Sequence, residues 1–224
     1  MNYRVVCLLL FVSFCGYSQK DSLQIGDAYF EDQLYMDFTY NVLYNQPEGF
    51  KASSFSYGIS MGYIKDIPLK RSGKLALGVG LGYGYDSFNH SIYVIQENNK
   101  SNFFPVLEGA SNNKLRLHNI EMPIQIRFRT SDAKKYSFWR LYAGIKLIYN
   151  VNNRFTYDVN NVGNVITNLN DFNKWQMGLT MSAGYSAFNF YMYYGLTPLF
   201  KNVNYNGAAI DTKYFKLGLS FFLL

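Results

Sequence analysis

The stretch from Lys74 to Tyr85, KLALGVGLGYGY, alternates between large and small side chains. Leucine, valine and tyrosine occupy the odd positions, whereas alanine and glycine occupy the even ones between them. This period of two predicts a β-strand, because successive side chains of a strand point to opposite faces. One face of the strand is therefore apolar and the other is nearly bare. Such a strand fits the core of a soluble barrel or sandwich, or a barrel wall with lipid outside and a small filled lumen inside.

The same period recurs in about eight segments, which predicts an antiparallel up-and-down barrel. The predicted strands are 34–44, 55–65, 74–85 (with an extension through Ile95), 115–129, 138–151, 175–185, 190–196 and 213–224. The connections after odd-numbered strands are mostly long and polar, and those after even-numbered strands are short. Long loops outside and short turns in the periplasm are typical of outer-membrane barrels. The predicted fold is therefore an eight-stranded transmembrane barrel with a filled polar lumen.

The fourth predicted strand is less regular than the others. Apolar residues share the even positions from Ile120 to Phe128, whereas Leu115 and Leu117 occupy odd positions. A change of parity within a strand is typical of a β-bulge, which adds one residue to one strand of a pair. We therefore expect a bulge near His118 or Asn119.

The positions opposite the apolar face predict the contents of the lumen. They include Glu121, Gln125, Arg127, Arg140, Tyr142, Lys146, Gln176, Thr180 and Ser182. The charged members are predicted to form a structural network: Glu121, Arg127, Arg140 and Lys146. Pairing is expected because an isolated buried charge is costly. The alternative is that Glu121 is a catalytic carboxylate. Pro123 cannot donate a ladder hydrogen bond, so we expect a bulge there that turns Glu121 inward.

The N-terminus predicts export to the outer membrane. Residues 1–18 resemble a secretory signal peptide, with Arg4 before an apolar core of about ten residues that is too short to span a bilayer. Residues 19–32 are then a periplasmic lead-in, and residues 33–224 form the barrel.

The composition of the chain disfavours cysteine chemistry, lipid attachment and nucleic-acid binding. Cys7 and Cys15 both lie in the leader, so the mature chain is expected to contain no disulfide, catalytic thiolate or cysteine-ligated metal. Lipid attachment at Cys15 is disfavoured, because Phe14 stands where a small residue is expected. Aromatic residues make up 19% of the chain, which favours a barrel with aromatic girdles. The net charge of +6 includes no block of Lys and Arg, and an exported protein is not expected to meet nucleic acid.

Candidate catalytic chemistry is sparse. The only histidines are His90 and His118. The pair formed by His90 and Ser91 resembles the His and Ser near the outer rim of a lipid A-modifying barrel hydrolase, although a solvated loop histidine is the simpler interpretation. No clustering of His, Asp and Glu predicts a metal site. We therefore predict no catalytic residue, cofactor or metal ligand.

Three segments resemble the PorT-like family of outer-membrane barrels. They are IEMPI at residues 120–124, IKDIPLKRSGKLALGVGLGYGY at 64–85, and FWRLYAGIKLIYNV at 138–151. The resemblance implies an outer-membrane barrel without known catalysis. For the members closest to PorT, it also implies a part in type IX protein secretion and gliding motility. It transfers no catalytic residue to this chain.

Together these features predict a non-enzymatic outer-membrane barrel that assists type IX secretion and gliding. The alternatives are a lipid A-modifying hydrolase and a general structural or adhesion barrel. A diffusion pore is disfavoured, because about eight strands enclose a lumen that side chains fill. The expected partners are outer-membrane lipid, type IX secretion components and the barrel insertion machinery, which would recognise the aromatic-rich C-terminal strand.

Overall fold

A computed structural model describes most of the chain beyond the predicted leader. The described residues are 32–48, 55–70, 73–90, 92–97, 100–105, 111–130, 139–159 and 162–223. The predicted signal peptide and all but the last residue of the lead-in lie outside these ranges. Among the described residues, no helix is long and apolar enough to cross a membrane.

The described chain is built from antiparallel strands. They are β1 (Gln33–Tyr44), β2 (Tyr57–Pro68), β3 (Leu75–Asn89), β4 (Ile92–Glu97), β5 (Lys100–Pro105), β6 (Ser111–Arg129), β7 (Trp139–Val159), β8 (Val162–Thr167), β9 (Trp175–Tyr185), β10 (Phe188–Gly195), β11 (Asn204–Tyr205), β12 (Ala208–Ala209) and β13 (Lys213–Leu223). Eight of them, namely β1, β2, β3, β6, β7, β9, β10 and β13, pair in chain order, and β13 pairs back to β1. The predicted eight-stranded barrel is therefore confirmed.

The long and short connections lie at opposite ends of the barrel, as predicted. Three short turns join β2 to β3, β6 to β7 and β9 to β10 at what we call the turn end. The other end, the loop end, carries strands that the sequence did not predict. Strand β5, the end of β7 with β8, and the β11–β12 hairpin occupy segments expected to be loops. The third strand extends past Tyr85 as expected but not through Ile95, because β3 ends at Asn89 and residues 92–97 form β4, which pairs with β5.

The outer and inner faces follow the predicted alternation through the middle of the barrel. Along β3, Val79 and Leu81 are exposed, whereas Gly78 and Gly84 are buried. All nine predicted lumen side chains are buried. The outer face is a band of exposed aliphatic and aromatic residues, which is the surface that a lipid bilayer covers. Lys65 is an exposed charge within this face, between Tyr63 and Ile67 on the turn-end half of β2.

Aromatic girdles border this band at both ends. At the turn end, ring centroids lie 5.6 Å apart in the Trp139–Tyr185 pair and 4.8 Å apart in the Phe188–Phe221 pair. At the loop end the paired rings are Tyr44–Tyr194 at 5.2 Å, Tyr57–Tyr85 at 6.2 Å and Tyr149–Trp175 at 4.9 Å. Aromatic side chains suit the two membrane–water interfaces, so the girdles mark the limits of the membrane-spanning part.

A register shift lies between His118 and Asn119, where a bulge was predicted. The extra residue, however, is Val151 on the partner strand β7, because His118 pairs with Asn152 and Asn119 pairs with Asn150. Strand β6 itself keeps one parity, with odd residues buried from Leu115 to Arg129. Its leucines therefore do not mark a switch of faces within β6.

Instead, the surroundings of the strands change beyond this bulge. Outward positions become polar, as at Arg116 and Arg154, and inward positions become apolar, as at Leu117 and Phe155. The inward side chains join a loop-end core that consists of Leu43, Phe88, Val94, Phe103, Leu115, Leu117, Ile148, Phe155, Leu169, Phe172, Tyr191, Tyr193, Leu199, Phe200, Val203, Ile210 and Tyr214. The barrel thus continues past the membrane as a water-exposed β-structure with an ordinary apolar core.

The bulge expected at Pro123 is absent. Val79 pairs with Ile124 and Gly82 pairs with Glu121, so the register is the same on both sides of the proline. Only the two intervening pairs are interrupted, which agrees with the missing proline N–H. Glu121 therefore faces inward by simple alternation. A Cβ at Gly80 would lie 3.0 Å from Pro123 Cγ and 2.6 Å from the carbonyl oxygen of Tyr63, so only glycine leaves room for the proline ring.

Leucine at position 80 should be far more damaging than leucine at position 79. Val79 is 41% exposed on the lipid face, where Val79→Leu is expected to be nearly neutral. Gly80→Leu must displace the backbone of β2 and the Pro123 ring, and overpacking of this kind costs about 1–3 kcal/mol or more. Urea unfolding in lipid vesicles measures both variants. A harmless Gly80→Leu with a damaging Val79→Leu would mean that the two faces are reversed.

Candidate functional site in the barrel lumen

The middle of the lumen holds a charge network contributed by five strands, which we call the central network. It consists of Asp37 on β1, Asp86 on β3, Glu121 on β6, Lys146 on β7 and Lys216 on β13, all buried. Lys146 Nζ lies 2.7 Å from Glu121 Oε2 and 3.5 Å from Asp37 Oδ2. Lys216 Nζ lies 2.7 Å from Asp86 Oδ1 and 3.8 Å from Glu121 Oε1. Glu121 therefore links the two ammonium groups across the barrel.

Neutral side chains make further contacts with the charged groups of the central network. The donors to the carboxylates are Ser60 Oγ to Glu121 at 3.1 Å, Ser220 Oγ to Asp37 at 2.6 Å, Asn41 Nδ2 to Asp86 at 2.9 Å and Asn119 Nδ2 to Asp86 at 3.1 Å. Tyrosine rings flank the lysines, with Tyr191 centred 5.1 Å from Lys146 Nζ and Tyr214 centred 5.4 Å from Lys216 Nζ. Buried charges are tolerated when they are paired and hydrogen-bonded in this way.

A second group of charges, the turn-end network, fills the lumen near the short turns. Asp66 on β2 forms ion pairs with both Arg127 and Arg129 on β6, and all three side chains are fully buried. Arg127 also donates to the side-chain oxygen of Gln33, and Arg129 Nε donates to the carbonyl of Gly73 at 2.7 Å. These bonds connect β1, β2, β6 and the β2–β3 turn across the barrel.

The structure places the four predicted network residues in two different environments. Glu121 and Lys146 are in direct contact within the central network. Arg127 belongs to the turn-end network, where its guanidinium lies 4.1 Å from the Tyr142 ring centroid. Arg140 lies at the turn end as well, where its guanidinium donates to the backbone carbonyl of Ser186. The predicted single network of Glu121, Arg127, Arg140 and Lys146 is therefore wrong. Glu121 and Lys146 belong to the central network, Arg127 belongs to the turn-end network, and Arg140 bonds the backbone at the turn end.

Several charged residues of these networks were not identified from the sequence. They are Asp37, Asp66, Asp86, Arg129 and Lys216. The same alternation could have identified them, because each falls on the inward parity of a predicted strand or its continuation. Arg129 follows Arg127 by two residues, and Lys216 lies between the outward residues Phe215 and Leu217.

The bare face of β3 accommodates the networks. A Cβ at Gly84 would lie 2.9 Å from the carboxyl carbon of Glu121, and one at Gly78 would lie 2.5 Å from Arg127 Cδ. Gly78 and Gly84 are thus required for space, since larger side chains at these positions would displace the charged ones.

The lumen is a filled interior. A cavity of about 10 Å³ lies between the two networks and is lined by Asp37, Lys146 and Tyr191 among others. This volume corresponds to roughly one water molecule. The loop-end core then closes the same interior on the other side of the central network. The two networks connect the strands across the lumen, and the side chains of the described residues leave no open passage for a solute.

His90 lies inside the loop-end region rather than at a solvated rim. It is 1% exposed, and its ring centroid lies 5.6 Å from that of Phe155. The interpretation of His90 as a solvated loop histidine is therefore wrong. Ser91, its candidate partner, lies outside the described residues. In the part of the chain that the structure describes, no group of three His, Cys, Asp or Glu side chains is placed to hold a metal ion.

The fold and the lumen together define an eight-stranded membrane β-barrel with a charge-paired interior. Comparison with protein families agrees with this class, because the outer membrane protein beta-barrel domain family matches residues 17–201. The chain belongs to this family and is an outer-membrane β-barrel protein. A search of curated proteins found no match to the chain.

Proposed function

We propose that this protein is a non-enzymatic accessory or assembly component of type IX protein secretion and gliding motility. The filled lumen is the observation that supports an accessory role best. An interior occupied by two charge networks and an apolar core disfavours a conduit and supports a role carried by the outer surface and the loops. The choice of pathway rests on the resemblance of residues 64–85, 120–124 and 138–151 to PorT-like barrels.

The loop end has the features of a docking platform. The strands of the β4–β5 hairpin, the β7–β8 extension and the β11–β12 hairpin pair with one another and pack against the loop-end core. Strands that already pack on a core lose less conformational entropy on binding a partner than an unstructured loop would. The proposed partners are therefore other outer-membrane components of the secretion apparatus.

Deletion of the gene is expected to abolish secretion of type IX cargo and colony spreading. The measurement is cargo in the medium against cargo retained in the cells, with wild-type complementation as the control. Normal secretion and normal gliding in the deletion strain would refute the pathway. Affinity purification from detergent-solubilised outer membranes should recover secretion components with the barrel.

The same strain tests the enzymatic alternative. A barrel hydrolase acting on lipid A would leave a mass change in lipid A when it is deleted, whereas an accessory barrel should leave the spectrum unchanged. A shift in the lipid A mass spectrum that wild-type complementation reverses would replace the accessory role with a catalytic one.

A further inference from the structure

Four basic side chains form a patch on the outer wall of the barrel, which begins at the loop-end girdle and extends beyond it. The basic patch consists of Lys114, Arg116 and His118 on β6 and Arg154 on β7. It surrounds a surface pocket of about 320 Å³, whose other lining residues are Tyr57, Tyr85, Ser87 and Asn89. None of these side chains belongs to either lumen network.

Two arginines of the patch are held directly opposite each other. Arg116 and Arg154 are cross-strand partners between β6 and β7, a position that brings Cβ atoms to within about 4.5–5.5 Å. Like charges in this position destabilise a sheet. Among the described residues, no ion pair is formed by Lys114, Arg116 or Arg154. The repulsion would be relieved by an anion that binds between the two guanidinium groups.

The basic patch lies at the level of the membrane surface, between the loop-end girdle and the water-exposed part of the barrel. The His118 ring lies 5.2 Å from the Tyr85 ring and contacts the Tyr83 hydroxyl, so His118 is part of the loop-end girdle. Arg116 is two residues farther along the same outward face, which corresponds to about 7 Å. In the other direction the next outward residue is Ile120, the start of the apolar band. Cations therefore stand directly above a lipid-covered surface.

We propose that the basic patch binds the phosphate group of a phosphorylated glycolipid in the leaflet at the loop end. Arginine pairs suit phosphate because their planar guanidinium groups donate two parallel hydrogen bonds. Ser87 and Asn89 offer neutral polar groups in the same pocket. The acyl chains would lie on the apolar band below, beside Leu81 and Ile120. A soluble anion would use the patch alone, whereas an amphiphile uses both surfaces. This proposal is independent of the secretion pathway.

The test measures lipid binding by the folded protein in phosphatidylcholine nanodiscs that contain synthetic lipid A with two phosphates. Native mass spectrometry counts the lipid A retained on the ejected protein. The double variant Arg116→Gln/Arg154→Gln should retain at least about tenfold less, since it loses two charge-assisted phosphate contacts. The matched control, Lys174→Gln/Lys201→Gln, removes two exposed loop-end lysines and should bind as the wild type does.

Two further arms identify the source of the phosphate. Dephosphorylated lipid A should bind no better to the wild type than to the double variant, and free pyrophosphate should not displace the phosphorylated lipid at equal concentration. Unboiled gel mobility verifies that each variant is folded. The proposal is overturned if the folded double variant retains lipid A as well as the wild type does, if dephosphorylated lipid binds equally well, or if pyrophosphate competes efficiently.

Discussion

Replacing Asp66 with asparagine is expected to lower the free energy of unfolding by ~3–5 kcal/mol. Asp66 is the acceptor of ion pairs from both Arg127 and Arg129, and all three side chains are fully buried. The substitution keeps the shape of the side chain but leaves two guanidinium groups in the lumen without their shared carboxylate. Removing one partner of a buried pair is costly because the other charge remains desolvated. Urea titration of the protein in phospholipid vesicles measures the effect.

An exposed ion pair provides the matched control for this substitution. Lys213 Nζ lies 2.9 Å from Asp211 Oδ2, but the two side chains are 20% and 48% exposed. Asp211→Asn removes the same functional group and should cost below ~1 kcal/mol, as surface pairs do. Equal effects at positions 66 and 211 would contradict the turn-end network, because they would mean that Arg127 and Arg129 are hydrated.

Lys146→Met is expected to be similarly damaging, at ~3–5 kcal/mol. Lys146 lies 2.7 Å from Glu121 and 3.5 Å from Asp37, so its removal takes a cation from two buried carboxylates at once. Methionine fills a comparable volume, so the effect reports on charge rather than on a cavity. The measurement is again the midpoint and slope of urea unfolding in vesicles.

Glu121→Gln tests whether the stability lost in Lys146→Met comes from its ion pairs or would follow from any substitution in the lumen. It should cost less than Lys146→Met, because Lys146 keeps Asp37 and Lys216 keeps Asp86 at 2.7 Å. The double variant Lys146→Met/Asp37→Asn should recover part of the stability lost in Lys146→Met, since one unpaired carboxylate is removed. Failure of the double variant to recover any stability would show that Asp37 and Lys146 do not interact.

Periodicity predicted the membrane-spanning part of the fold well, because one physical rule acts along each strand there. Outward residues such as Val79 and Ile120 are apolar because they face lipid, whereas the inward residues Gly80 and Glu121 are small or polar. The rule fails beyond the girdle, where water replaces lipid. Leu115 and Leu117 face the same interior as Glu121, but that interior has become apolar. A strand whose outer surroundings change from lipid to water gives the same sequence pattern as a strand whose two faces are exchanged by a bulge. The sequence alone therefore cannot distinguish the two cases.

The charge pairs were harder to predict than the strands. Inward parity places Asp66, Asp86 and Lys216 in the lumen, but it cannot say which charges meet. Arg127 contacts Asp66 across 61 positions of the chain, and Lys216 contacts Asp86 across 130. These contacts depend on strand register and on the depth of each residue in the closed barrel. Both are properties of the whole sheet rather than of any one segment.

The change of polarity along β6 and β7 has a consequence for biogenesis. One half of each strand is built for hydrocarbon on its outer side, and the other half presents Lys114, Arg116 and Arg154. In the orientation that the sequence predicts, with the long loops outside, these cations must traverse the bilayer before the barrel reaches its final position. An arginine at the midplane costs about 2–4 kcal/mol, and several would cross together. Translocation of the loop end should therefore carry a cost in free energy during membrane insertion, and that cost should be smaller in a thinner bilayer.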